Sequence, residues 1–111
     1  MNKTPKEHAE QVTLVAWFRE TYPDILIFAI PNGGKRNINE AKKLKLEGVL
    51  SGVSDLFVPE YKLWIELKRI KGGKLSDEQE AFGAEMLRIG HKFIVAHGWI
   101  EAKTTIQKII I

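Results

Sequence analysis

The stretch from Asp55 to Lys68 constrains this chain more than any other. Two short alternating runs, Asp55 to Val58 and Leu63 to Lys68, flank a turn near Pro59 to Lys62, which is the pattern of a β-hairpin. With Glu60 and Tyr61 as a two-residue turn, Pro59 pairs with Lys62, Phe57 with Trp64, and Asp55 with Glu66. Side chains alternate between the faces of a strand. Asp55, Glu66 and Lys68 therefore leave one side of the hairpin, while Leu56, Val58, Ile65 and Leu67 leave the other, toward a core.

Directly opposed residues hold their Cβ atoms about 4.5–5.5 Å apart, and like charges there repel. Two facing carboxylates need something between them, and oxygen donors with water suit Mg²⁺ or Mn²⁺. Lys68 then helps to position an attacking water or to stabilise charge developing on a phosphate, which a metal would also polarise. The same residues also fit a solvated sheet face carrying scattered charges, and the spacing alone favours that plainer reading.

The rest of the chain supplies a frame for the hairpin. Glu7 to Tyr22 carries Leu14, Val15, Phe18 and Tyr22 at helical spacing and ends before Pro23. Ile25 to Ile30 reads as a buried strand, Pro31-Asn32-Gly33-Gly34 as a loop, and Asn39 to Glu47 as a short helix closed by Gly48. Lys71-Gly72-Gly73-Lys74 is a loop; Ser76 caps a helix to about Ile89, closed by Gly90. Lys92 to Ala96 is a strand and Trp99 to Ile109 a helix. The order α, β, α, β, β, α, β, α predicts an α/β fold with one mixed sheet flanked by helices.

With 111 residues the chain fits a single domain, residues 1–111. The net charge of +3 leans toward nucleic acid as a partner. There are no cysteines, so disulfides and thiolate metal sites are excluded, in keeping with a reducing cytoplasm. Neither a secretory signal nor an apolar run of the roughly 20 residues that span a bilayer is visible. His8, His91 and His97 have no metal-ligand spacing, and Trp17, Trp64 and Trp99 read as core or interface residues. The apolar Ile109-Ile110-Ile111 end needs a core or a partner to cover it.

Several segments together resemble the VRR-NUC family of the PD-(D/E)XK nuclease superfamily: Gly52-Val53-Ser54-Asp55-Leu56-Phe57-Val58, Trp64-Ile65-Glu66-Leu67-Lys68-Arg69 and Leu75-Ser76-Asp77-Glu78-Gln79. Glu7-His8-Ala9-Glu10-Gln11 and Pro31-Asn32-Gly33-Gly34-Lys35-Arg36 resemble that family's first helix and following loop, in the same order. The resemblance implies a restriction-endonuclease-like domain that hydrolyses DNA phosphodiester bonds with Mg²⁺ or Mn²⁺. It makes Asp55 and Glu66 the motif carboxylates, Lys68 the motif lysine, Leu67 a metal ligand through its main-chain carbonyl, and Gln79 the glutamine of the next helix. One departure is Ser54, where the family usually has proline.

The N-terminal glutamate of the family fits Glu7, which shares an inward stripe with Gln11, Leu14 and Phe18; Glu10, on the neighbouring stripe, is the reserve. Gln79 also completes a capping box with Ser76, so its place at a site and its place at a helix end both stand. Asn32, Gly33, Lys35 and Arg36 read as a DNA-contacting loop, since glycine lets a backbone approach a phosphate. Lys42, Lys43 and Lys45 either extend that patch or are simply solvated. Resemblance to the stand-alone bacteriophage and bacterial members further implies a homodimer acting on branched DNA such as four-way (Holliday) junctions in the bacterial cytoplasm. A non-catalytic DNA-binding module with the same fold is the rival reading.

Overall fold

The computed structural model describes residues 5–31 and 37–111. The elements follow the expected order: α1 (Pro5–Thr21), β1 (Phe28–Ala29), α2 (Ile38–Leu46), β2 (Leu56–Val58), β3 (Leu63–Lys68), α3 (Asp77–Arg88), β4 (Lys92–His97) and α4 (Trp99–Ile109). The strands form one sheet in the order β1-β2-β3-β4. β1 pairs with β2 and β2 with β3 in antiparallel fashion, whereas β4 runs parallel to β3. A parallel pair needs a crossover, and α3 supplies it.

Leu56, Val58, Leu63, Ile65 and Leu67 project from one face and pack with Leu14 and Phe18 of α1 and with Ala102 and Ile106 of α4. Each such aliphatic or aromatic side chain contributes about 1.5–3 kcal/mol when fully buried, so this layer anchors the hairpin. Lys103 lies between the rings of Trp17 and Trp99, 5.8 and 5.5 Å from their centroids, and joins α1 to α4. α3 covers the opposite face. There Phe57 stacks on Trp64 with centroids 4.0 Å apart, and Phe82 meets Trp64 edge-on at 5.0 Å. The Trp64 indole N–H donates to His91 Nδ1 at 2.9 Å, which makes that histidine structural. A Cβ on Gly83 would fall 2.3 Å from the Phe93 ring, so glycine sets how closely α3 approaches the sheet.

Two local expectations need correction. Ile25 to Ile30 is not a buried strand: only Phe28 and Ala29 join the ladder, both exposed, and Ile27 alone of this segment is buried. The Ile25 N–H still bonds the Tyr22 carbonyl at the exit of α1, and β2 offers this edge only a short partner. The hairpin turn is a 3-10 turn over Pro59–Tyr61 closed by Lys62 in the left-handed conformation (φ 49°), rather than a two-residue turn. At the C-terminus, Ile110 enters the core, Ile109 packs against it, and Ile111 is exposed. Among the described residues no helix is long and apolar enough to cross a membrane.

Candidate active site

The register is the one the sequence predicts, despite the different turn. Leu56 pairs with Ile65, Phe57 with Trp64 and Val58 with Leu63, and one further step puts Asp55 opposite Glu66. Both carboxylates are buried, Asp55 with 7% and Glu66 with 3% of its surface exposed. That burial removes the solvated-face alternative. The ladder of β2 ends at Leu56, and beyond it the Asp55 Oδ2 atom accepts the main-chain N–H of Leu67 at 2.8 Å. This bond fixes the rotamer of Asp55. It also orients Leu67, because the N–H and C=O of an extended residue point to the same edge of a strand. The Leu67 carbonyl therefore faces the gap between β2 and β3 that holds Asp55.

Glu66 sits at the carboxyl end of β3, where parallel α/β sheets place their ligand sites. Its Oε2 accepts from Gln79 Nε2 at 3.1 Å and lies 3.9 Å from the Lys68 ammonium. Lys68 Nζ in turn donates to Gln79 Oε1 at 2.8 Å. The same Oε1 accepts the Ser76 N–H at 2.8 Å, while Ser76 Oγ accepts the Gln79 N–H at 3.1 Å, completing the capping box of α3. Gln79 thus caps α3 and at the same time hydrogen-bonds Lys68 and Glu66. It reads the lysine and the glutamate at once and ties them to the start of α3.

This double role separates by substitution. Gln79→Glu keeps a carbonyl-type acceptor for the Ser76 N–H, and glutamate is a normal partner in a capping box. It replaces the amide donor facing Glu66 with a third carboxylate, however. Helix content by circular dichroism should stay unchanged, while any metal-dependent cleavage should fall about a hundredfold, the size expected for misplacing reacting groups by an ångström. Unimpaired cleavage would show that Gln79 is a cap alone.

The donor set accommodates a hard divalent cation. Among the described residues no group of three or more His, Cys, Asp and Glu side chains converges, so the candidate ligands are two facing carboxylates and a main-chain carbonyl. Mg²⁺ is held in this way, by one or two carboxylates with waters filling its remaining positions. Asp55, Glu66 and the Leu67 carbonyl match that requirement by donor type.

On α1 the two candidate glutamates part company. Glu10 Oε1 accepts the Trp99 N–H at 2.8 Å across 89 residues of chain. The first residue before α4 is Gly98, which has no side chain to cap the helix, and Glu10 takes over that task. Glu7 is half-buried one turn earlier, on the stripe of Gln11, Leu14 and Phe18. Gln11 Oε1 and Ser54 Oγ are buried with no hydrogen-bond partner among the described residues, and such atoms commonly take an ordered water. Glu10→Ala should lower stability by about 1–2 kcal/mol through the lost cap, whereas Glu10→Gln, which keeps the oxygen acceptor, should lose less. Thermal melting with and without Mn²⁺ checks this; a metal-induced rise lost in Glu10→Gln would return Glu10 to the site.

Asn32, Gly33, Lys35 and Arg36 lie outside the described residues. Lys42, Lys43 and Lys45 are exposed on α2. Two glycines were not legible as site elements from spacing. Gly73 packs on Lys68, where a Cβ would come within 2.8 Å of the Lys68 Cβ, and its carbonyl lies 3.0 Å from His97 Nε2. Gly52 (φ +90°) abuts the first turn of α3, where a Cβ would fall 2.5 Å from the Glu78 carbonyl and 2.8 Å from the Gln79 nitrogen. Its motif position was visible, but its contact with α3 was not.

No protein-family model matches the chain, and no curated protein matches its sequence. Among solved structures, a VRR_NUC domain protein superposes with a TM-score of 0.78 at 24% sequence identity, over 97% of this chain and 90% of that one. The likeness extends over almost the whole of both chains, and it establishes that this chain has the fold of a VRR_NUC domain.

Proposed function

We propose that this protein is a Mg²⁺- or Mn²⁺-dependent DNA endonuclease, selective for branched DNA such as four-way junctions and acting as a homodimer. The observation that carries the reading is the burial of the Asp55 and Glu66 carboxylates at the end of the β2–β3 pairing, with Glu66 tied through Gln79 to Lys68. Burying two like charges side by side costs free energy, and a cation between them offsets that cost. When bound, the cation supplies Lewis acidity at a phosphoryl oxygen and eases deprotonation of a water.

The protein's own groups do the rest. Asp55, Glu66 and the Leu67 carbonyl hold the cation. Lys68, oriented by Gln79 Oε1, directs its positive charge at the phosphate or the attacking water. The buried walls of the site keep the dielectric low, which strengthens these interactions. Glu7 is the further acidic group of α1, and Asn32, Gly33, Lys35 and Arg36 contact the DNA backbone. Two-fold symmetry in a dimer suits a junction that needs paired cuts. The VRR_NUC fold, the net positive charge and the oxygen-only donor set all support this reading.

The test is incubation of the purified protein with a fluorescent four-way junction and with linear duplex, each with Mn²⁺ or EDTA. Metal-dependent cutting, faster on the junction, is the expected result. Absence of cutting on every DNA would sink the nuclease reading and leave a DNA-binding module; equal cutting of both substrates would remove the junction preference.

A further inference from the structure

A cleft of about 420 Å³ opens between α2, the segment that follows it and the first turn of α3. Ala41, Leu44, Val49 and Leu50 form an apolar wall, and Lys45 and Glu78 bring opposite charges to it. Val49 and Leu50 remain 49% and 58% exposed, and α2 buries none of its residues. The cleft and the candidate site are joined at the first turn of α3, where Glu78 lines the cleft and Gln79 meets Glu66 and Lys68. Glu78 precedes Gln79, and Gly52, two residues beyond Leu50, is pressed against both of them.

We propose that this cleft receives one unstacked nucleobase of the strand being cut, close to the scissile phosphate. The inference rests on the nuclease reading. A base in a duplex has both faces covered by its neighbours, so only a base outside the stack can present a face to the Leu44, Val49 and Leu50 wall. Lys45, with Lys42 and Lys43 on the same helix, provides positive charge for the phosphates on either side of that base. The Glu78 carboxylate accepts hydrogen bonds and donates none, so it favours a base with an amino group, such as cytosine or adenine, over thymine. Base pairs at a branch point lose a stacking neighbour when the junction opens, which lowers the cost of extruding such a nucleotide.

The test uses 2-aminopurine placed at successive positions next to the mapped cut, bound to Asp55→Asn protein so that the DNA stays whole. Among the described residues no aromatic ring lines the cleft, so a captured 2-aminopurine stays bright. A several-fold rise in emission is expected at one position within two nucleotides of the cut. Leu50→Glu places a charge on the apolar wall and Ala41→Phe fills the space; both positions are exposed, so the fold is retained. In the cleaving protein each substitution should raise KM about tenfold with kcat held, the weight of one stacked or packed base. Replacing the captured base by thymine should raise KM in the parent protein and leave it unchanged in Ala41→Phe.

Cutting that proceeds normally in both variants, or no emission rise at any position, would overturn the inference while leaving the nuclease reading intact. A change from dimer to monomer in Leu50→Glu with unchanged KM would also overturn it, by showing that the cleft faces a second copy of the chain. Failure of the parent protein to cut any DNA is read first and removes both.

Discussion

Asp55→Asn should abolish DNA cleavage and, without metal, make the protein more stable. Asparagine has the same shape, and its side-chain oxygen can still accept the Leu67 N–H that Asp55 Oδ2 accepts at 2.8 Å. What disappears is one of two buried carboxylate charges on neighbouring strands, with Asp55 7% and Glu66 3% exposed. Relief of that repulsion is on the order of 1 kcal/mol, which raises the melting temperature by about 4–8 °C for a small domain. Loss of a metal ligand removes several kcal/mol of charge stabilisation in the transition state, so cleavage should fall by about a thousandfold or more. Mn²⁺ at a hundred times its dissociation constant should stabilise the parent protein by about 2.7 kcal/mol and the variant hardly at all. Melting curves with and without Mn²⁺, beside a cleavage assay, read both halves. Normal cleavage by Asp55→Asn would refute the site.

The second large effect belongs to a residue with no polar side chain. Gly52→Ala should both destabilise the protein and slow it. At φ +90° a Cβ is strained, at about 1–2 kcal/mol. This Cβ would also meet main-chain atoms of Glu78 and Gln79 at 2.5–2.8 Å, and a backbone cannot turn aside as a flexible side chain can. The first turn of α3 must move away, taking Gln79 from Lys68 and Glu66. A displacement of about an ångström costs about a hundredfold in rate. Gly48→Ala is the control: its φ of +99° imposes similar strain, but a Cβ there meets nothing within 4 Å. Gly48→Ala should lose stability with kcat unchanged, whereas Gly52→Ala should lose both. Equal kcat in the two variants would mean that Gly52 does not position Gln79.

The order of elements was readable because it follows from local chemistry. Ser76 caps α3 through its own neighbours, and Gly48 and Gly90 follow the helix ends with positive φ. Alternation along Asp55 to Lys68 determined the register, since a slip of one residue would turn Leu56, Val58, Ile65 and Leu67 away from the core. The same alternation put Asp55 opposite Glu66 even though the turn is a 3-10 turn, because the number of residues between the strands is unchanged.

Burial of the carboxylates was not readable in this way. Whether a polar sheet face meets water depends on what lies over it, and α3 reaches that face only by the crossover from β3 to β4. The choice between cap and site for Gln79 likewise dissolved once α3 docked, since one amide side chain spans Ser76, Lys68 and Glu66. Glu10 is the reserve α1 glutamate by its place in the sequence, and in the fold its Oε1 caps α4 from 89 residues away. The sequence by itself therefore determined the periodicities, the caps and the facing of Asp55, Glu66 and Lys68, all of which depend on neighbours along the chain or across one hairpin. Only the tertiary structure decided which of those polar groups lose water and which partners they find, because burial and long-range hydrogen bonding belong to the packed layers and not to any one segment.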